Sequence, residues 1–477
     1  MINLKTKLAP HQQAAVDKLK GLRVGGLLMD MGTGKTLTLI EFVRLRQHKI
    51  DHVVYFCPVS LKETVLYELQ HHIEDPSVYV FDDRTQQGRI PSAFWYIVGI
   101  ESVGQSDRVT LAVNELITDK TFVVLDESDV CKNHRAVRTM RITAMSQRAR
   151  YRMILTGTAL SEGVEDLYSQ MYFLSPEILG YRSFYSFSRN HLEYSDKFPG
   201  LVVRQLNTDW IASKIEPYVY QVKKDECLTL PDKLYCTRYF GMTWEQEELY
   251  RRAKEEILMQ APDDEFDSYT IFRLFTALRE IVSGFWMQHT DPRLRRWAQY
   301  RDASPTLLTC KHGRIECLEG VLAEIPANEK VIIWTHFHYG TEQILKAIAQ
   351  QYGDESFSRY DSTIDERARE LERWRREARF LVASPKCGAR GLTLNEAAYT
   401  VFYNNDFPYR VRQQAEDRNH RIGQDRRSVY IDLVCRGSID ERIFKALSRK
   451  ENLVQVFRRE LDKLKTAQQK RDCLIKI

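Results

Sequence analysis

Nothing in the sequence approaches the ~20 consecutive apolar residues that a membrane-spanning helix needs, which excludes a chain built into a bilayer and a membrane partner. The opening stretch "MINLKTKLAPHQQAAVDKLK" has no apolar core of the secretory kind, so a cytoplasmic location is expected. The compact length points to a bacterial cell or a phage-infected host. Nine cysteines, an odd number and scattered, offer no disulfide framework and read as reduced thiols. Cys310, His312 and Cys317 lie near one another, but no second Cys-x-x-Cys pair completes a zinc site. There is little excess charge: 70 basic against 65 acidic residues give +5, which permits a nucleic-acid partner without arguing for one. Low-complexity tracts and repeats of fixed period are absent too.

What is present is an ordinary globular composition, 43% hydrophobic and 28% charged. At 477 residues the chain exceeds one comfortable core, and two or three domains are expected. The first third alternates short apolar runs ("GGLLMD", "HVVYFCP", "FWYIVGI", "TFVVLDE", "YRMILTGT") with longer amphipathic segments such as "GKTLTLIEFVRLRQ". That rhythm predicts a parallel sheet with crossover helices, its strands covered on both faces. From about Leu167 to Thr309 the pattern turns aromatic-rich and helical, broken by the acidic loop "APDDEFDS". Strand candidates then return in "KVIIWTHF", "RFLVASP", "YTVFYNN" and "SVYIDLV", followed by a charged, periodic helical tail. The expected organisation is α/β: a first lobe over 1–166, a helical insertion over 167–309, a second lobe over 310–440 and a helical extension over 441–477.

"MDMGTGKT" follows a strand and opens a helix. Gly32 and Gly34 let the backbone wrap a phosphate around Thr33, and the amides of a helix start add their positive dipole end. Lys35 can reach the β/γ-phosphates of a nucleotide and the Thr36 hydroxyl can hold Mg²⁺. The strict phosphate-loop pattern wants glycine where Met29 stands, so this loop is a variant. In "FVVLDESD" an apolar strand delivers Asp126 and Glu127 at its carboxyl end, where ligands of such sheets bind. Asp126 is placed to hold the metal, directly or through water, and Glu127 to orient and deprotonate an attacking water. Alone, such a pair reads as surface charge; the upstream loop changes that. "ILTGTAL" ends a further strand in Thr156-Gly157-Thr158, by itself a plain polar turn. In "QAEDRNHRIGQ", residues 414–424, Arg418 and Arg421 stand one helical turn apart, where two guanidinium groups repel. A solvated helix face explains an arbitrary pair of that kind.

In this order the stretches resemble superfamily 2 helicases, and most closely the Snf2-type DNA translocases. "LAPHQ" is similar to their adenine-reading element, with Gln12 as the matching glutamine. "MDMGTGKT" resembles motif I, "VVYFCPVSLKETVLYEL" motif Ia, "DESD" motif II, "LTGTAL" motif III, "KVIIWTHF" motif IV, "ASPKCGARGLTLNEAAYTVFYNNDFP" motif V and "QAEDRNHRIGQ" motif VI. The resemblance covers nearly the whole chain. It implies two RecA-like lobes with parallel sheets, ATP and Mg²⁺ as cofactors, double-stranded DNA as partner and a monomeric motor. ATP binding would close the lobes and hydrolysis reopen them.

The resemblance also assigns Arg418 and Arg421 to arginine fingers, Gly391 of motif V to the nucleotide site, and Thr156 and Thr158 to coupling. Lys62 in "SLKETV", Thr335 in motif IV and Lys386 in motif V are the backbone-phosphate contacts it suggests, giving sequence-independent, salt-sensitive binding. Asp129 stands in "DESD" where histidine is commoner, Ala159 where many relatives have proline, and Ser362 where glycine is usual. These departures leave the phosphate, metal and water-activating groups in place and bear on coupling. A strand-separating DNA or RNA helicase on the same engine is the alternative, and a nucleotide-gated binding or remodelling subunit the third. The helix "RARELERWRREARF" carries as many acids as a solvated helix needs, with Leu371 and Trp374 as its buried stripe.

Overall fold

Apolar runs that alternate in facing two cores become the strands. In the first third these are β1 (Val24–Met29), β2 (His52–Cys57), β3 (Val78–Val80), β4 (Trp95–Gly99), β5 (Thr121–Asp126) and β6 (Tyr151–Thr156). All but the short β3 coincide with the apolar runs, and nearly every position in them is buried. Successive side chains of a strand point to opposite faces. Val54 and Phe56 of β2 with Val123 and Leu125 of β5 enter one core, whereas Val53, Tyr55 and Cys57 with Phe122 and Val124 enter the other. A sheet covered on both faces by helices needs that continuous apolarity.

In the computed structural model, residues 2–157, 163–194, 202–228, 230–260, 266, 268–289, 305–388, 392–421, 423–464 and 466–476 are described. The chain divides into two units, Met1–Thr229 and Leu230–Ile477. In the first, a small antiparallel pair, β7 (Leu192–Tyr194) and β8 (Val202–Gln205), precedes β9 (Val219–Val222). The sheet runs β3-β4-β2-β5-β6-β1-β9, with every neighbouring pair parallel. β1 and β5 therefore flank β6, and all three end on the same edge.

The second unit has the same plan. Its strands are β10 (Lys233–Phe240), an antiparallel pair β11 (Phe285–Gln288) and β12 (Thr306–Thr309), then β13 (Lys330–Trp334), β14 (Phe357–Tyr360), β15 (Phe380–Ala383), β16 (Ala397–Phe402) and β17 (Ser428–Cys435). The main sheet runs β10-β17-β16-β13-β15-β14, again wholly parallel. The architecture is thus α/β with two RecA-like lobes. Helices Trp244–Met259 and Ser268–Val282 share a core with the tail helices Ile439–Ser448 and Leu453–Asp462 through Leu278, Phe275, Ile443 and Phe457. The stretch 167–309, read from sequence as one helical block, divides between the two units and contributes an edge strand to each sheet. Leu371 and Trp374 are buried on the helix Arg367–Arg376, as their spacing predicts.

A charge sits at the centre of the second unit. Arg314 is wholly buried, paired with Asp440 Oδ2 at 2.6 Å and donating to the carbonyls of Tyr403, of Leu433 (3.2 Å) and of Val282 (3.4 Å). Its guanidinium also lies over the rings of Phe240 and Tyr403. It staples the helix Arg314–Glu324 to β16, β17 and the tail. Replacing it by alanine strands the Asp440 carboxylate and is expected to cost about 3–5 kcal/mol. A urea titration would read this as a lower midpoint, and an unchanged midpoint would refute the staple.

Candidate functional site

The turn after β1 is built for close approach. Gly32 and Gly34 have φ of 81° and 82°, the left-handed region that side chains disfavour. At Gly34 a Cβ would stand 2.0 Å from Gln12 Nε2, so a larger residue has no room. The Gln12 amide donates to the carbonyls of Thr33 (3.2 Å) and Gly34 (3.3 Å) and accepts from the Ala9 N–H at 2.8 Å. His11 adds a contact of 2.8 Å to the Thr33 carbonyl. The segment "PHQ" therefore braces the loop from outside. The Lys35 ammonium reaches back across the loop to the Met29 carbonyl at 2.9 Å. Thr36, half-buried, is the second residue of the helix Lys35–Arg46.

One strand over from β6, the end of β5 carries the carboxylates. Asp126 accepts from the Tyr55 hydroxyl at 3.0 Å and from the Glu127 N–H at 2.8 Å. Burial pushes the Asp126 carboxyl up to about 7, the Glu127 charge adds to the rise, and Lys35 opposes it. Lys35 is therefore near enough to be felt, and the loop and the acids form one site. Burial, with Asp126 adding, also pushes the Tyr55 phenol far up, so it stays a donor. Glu127 is itself left-handed, φ 46° and ψ 51°, a conformation costing about 1–2 kcal/mol in a residue with a Cβ. The residues that impose it are Asp126, Val130, whose N–H donates to the Glu127 carbonyl at 2.9 Å, and Ser128, whose hydroxyl donates to Gln170 Oε1 at 2.5 Å. Thr156 closes β6 beside Leu28 of β1, fully buried. Thr158, with Ala159, lies outside the described residues, as does Gly391.

In the second unit the two arginines are not on one helix. The helix Tyr409–Glu416 ends two residues before Arg418: the Arg418 N–H turns to the Ala415 carbonyl at 3.3 Å, and the Arg418 carbonyl beyond it accepts from the Leu394 N–H at 2.9 Å. Arg418 is 4% exposed, which removes the solvated face. Its guanidinium donates to the carbonyls of Gln414 (3.0 Å) and Leu392 (3.1 Å), and Arg421 donates to the same Leu392 carbonyl at 3.2 Å. A shared acceptor from the "GLTL" run thus offsets their repulsion. Gln424 locks the turn, its amide donating to the carbonyls of Asn395, Ala397 and Asn419. Arg412 anchors the preceding helix, with both Nη atoms on Asp432 and Nε on Glu416 Oε1 at 2.8 Å. Burial pushes the Glu416 carboxyl up, but Arg412 and Lys233 outweigh it and hold it below the usual range.

The suggested nucleic-acid contacts differ in setting. Lys62 starts the helix Lys62–His72 and its ammonium donates to the Phe81 carbonyl at 2.8 Å. Lys386 is exposed on the turn Pro385–Gly388 after β15. Thr335, at the end of β13, is 1% exposed and its N–H donates to the Ala383 carbonyl at 3.0 Å. Residues the motifs did not announce are Tyr55, His11, Ser128 with Gln170, and Arg412. His11 beside Gln12 and Ser128 beside Glu127 had a local signal; Gln170 and Arg412 had none.

The Asp126 shift has a sign that can be measured. Between its ordinary 3.8 and about 7 the unfolded chain has lost this proton while the folded chain keeps it. Stability from this group is therefore full below pH ~4 and is lost as pH rises to about 7. For the ligand-free protein, urea titrations across that window are expected to show falling stability, to which Glu280, also pushed up to about 7 by burial, contributes with the same sign; Asp126→Asn should make the slope shallower, and an equal slope in the variant would contradict the assignment.

Over residues 11–284 the chain matches the SNF2-related domain, and over residues 313–423 the helicase conserved C-terminal domain. It is similar to the putative ATP-dependent helicase/translocase YwqA of Bacillus subtilis, 25% identical over 468 residues, covering 94% of this chain and 49% of that protein. It is 22% identical over 504 residues to the ISWI chromatin-remodeling complex ATPase ISW1 of Saccharomyces cerevisiae, covering 98% of this chain and 42% of that one. The chain thus spans about half or less of the length of these relatives. The solved Sulfolobus solfataricus SWI2/SNF2 ATPase core in complex with dsDNA aligns at 20% identity and a TM-score of 0.44, over 94% of this chain and 92% of that one. The core domain alone aligns at 22% and 0.43, over 94% and 89%. With the first domain matching more than half of its residues and the helicase domain following in order, the chain belongs to the Snf2-type branch of helicase superfamily 2.

Proposed function

We propose that this chain is an ATP-dependent translocase on double-stranded DNA, hydrolysing ATP at the ends of β1 and β5. The observation that carries the reading is the pair Asp126–Glu127, buried at the end of β5 and within electrostatic reach of Lys35. The glycine turn would cradle the triphosphate, with Lys35 leaving the Met29 carbonyl for the β- and γ-phosphates and Gln12 fixing the loop from behind. Thr36 and Asp126 offer one hydroxyl and one carboxylate, a hard-oxygen set that suits Mg²⁺ with water and phosphate oxygens as its other ligands. The raised Asp126 carboxyl fits that role, since an adjacent dication favours its ionised form. When bound, the ion would supply charge neutralisation at the β/γ-phosphates.

Glu127 then takes the proton of the attacking water, and Thr156 and Thr158 relay the state of this site to the rest of the unit. Arg418 and Arg421, with Gly391 nearby in sequence, would supply the positive charge that the transferring phosphoryl group requires. Cycles of binding and hydrolysis would alternately tighten and loosen the two units on DNA. Lys62 and Lys386 would contact backbone phosphates, joined by Thr335 once its buried hydroxyl is uncovered, so that binding is independent of sequence and weakens with salt. We read the working form as a monomer in the cytoplasm.

Glu127→Gln is expected to keep ATP and DNA binding while lowering turnover by at least ~10²-fold. Lys35→Ala should weaken nucleotide binding itself, and Arg421→Ala should stop hydrolysis with nucleotide binding retained. ATP turnover measured side by side with duplex DNA, single-stranded DNA and RNA decides the partner. Duplex DNA should stimulate most, and stronger stimulation by single strands or RNA would favour a strand-separating helicase instead.

A further inference from the structure

The base-bearing turn is tied to one neighbouring helix by a buried polar contact that ATP chemistry does not by itself require. Ser128, fully buried, follows Glu127 directly and donates its hydroxyl to Gln170 Oε1 at 2.5 Å. Gln170, 1% exposed, sits on the helix Val164–Leu174, whose Leu167, Met171, Phe173 and Leu174 are packed in the core. The other end of the Gln170 amide donates to the Asp166 carbonyl at 3.0 Å, which fixes its orientation. Two more contacts join the same helix to the residue that ends the turn. Ser169 Oγ donates to the Lys132 carbonyl at 2.8 Å, and the Lys132 ammonium pairs with Asp166 Oδ2 at 3.0 Å. The left-handed backbone of Glu127 is thus followed directly by a buried side chain bonded to a helix that is packed into the core.

We infer that Gln170, acting through Ser128, is a positioning residue for Glu127: it holds the strained turn so that the Glu127 carboxylate keeps the orientation in which it can take a proton from water. The inference rests on the proposed role of Glu127 as base. A strained conformation persists only where its surroundings over-determine it. Without the Gln170 acceptor the buried Ser128 hydroxyl must seek another partner, and the cheapest way is for the turn to rotate. Rotation there moves the Glu127 side chain and leaves the Gly32–Thr36 cradle alone. The consequence is specific: the rate of hydrolysis falls while nucleotide affinity does not.

The test is a cycle of Ser128→Ala, Gln170→Leu and the double variant in the full chain, with duplex-stimulated turnover, KM for ATP and thermal midpoint measured for each. Each single change is expected to lower kcat on the order of tenfold or more, with KM for ATP within about twofold of the parent. The double variant should be no slower than the slower single, because both remove one interaction. Ser128→Ala removes a single oxygen, so it keeps the fold even if Gln170→Leu does not. Unchanged kcat in Ser128→Ala, or losses that multiply in the double variant, would overturn the inference, as would a KM that rises in step with a falling midpoint. Glu127→Gln measured alongside separates the two claims: vigorous turnover by that variant sinks the base itself, whereas its loss with normal Ser128→Ala sinks only the positioning.

Discussion

Two carboxyl groups on consecutive residues, Asp126 and Glu127, each under 10% exposed, put like charges where water screens them least. That repulsion organises the first unit. Tyr55 and the Glu127 N–H stabilise one oxygen each of Asp126, and the Lys35 ammonium offsets part of the cost, yet burial still favours the protonated acid. A site in this condition is poised for added positive charge, since a cation recovers energy that the fold has already spent in dehydrating the acids. The parallel sheet makes the arrangement possible. Because β1, β5 and β6 share a direction, their turns collect on one edge, and the interior of each strand is left free to be wholly apolar.

The second unit manages charge of the opposite sign. Arg314, Arg412 and Arg418 are all buried, and each is held by acceptors that come from several elements at once. Arg314 and Arg412 have carboxylate partners, Asp440 and Asp432 with Glu416, and these pairs fix the frame. Arg418 and Arg421 are drawn together on the Leu392 backbone carbonyl, to which both donate. The closing Gln424 and the left-handed Gly423 hold the turn that displays them.

Much of this was readable in the residues, and the exceptions have physical reasons. Strands buried on both faces announce themselves as short apolar runs, which is why β1, β2, β4, β5, β6, β13, β15, β16 and β17 are legible. β10 is a sheet edge, largely exposed, held by backbone pairing with β17 along "KLYCTRYF", and its side chains carry no buried face to betray it. β3, β9 and β14 have three or four residues each and, unlike the equally short but wholly buried β15, are only partly buried, so no continuous apolar run marks them. The glycine turn and the acidic pair were visible because their chemistry is local. Tyr55, 71 residues from Asp126, and Gln170, 42 from Ser128, are joined to the site only by folding, so no spacing rule finds them. Arg418 and Arg421 were visible as a pair, but not the early end of the helix, where the Arg418 side chain takes the Gln414 carbonyl from the ladder.

The departure at Asp129 takes on a meaning from this geometry. Sequence reasoning put the link between the acidic turn and its surroundings at the fourth residue of "DESD". In the fold, the third residue carries a link, through a neutral hydrogen bond from Ser128 to the helix Val164–Leu174. The Ser128–Gln170 bond itself adds no charge beside Asp126 and Glu127. The strain at Glu127 and the buried Ser128–Gln170 contact then belong together. The first stores an orientation that the backbone would otherwise abandon, and the second conveys that orientation to a rigid helix without adding charge to a site already crowded with it.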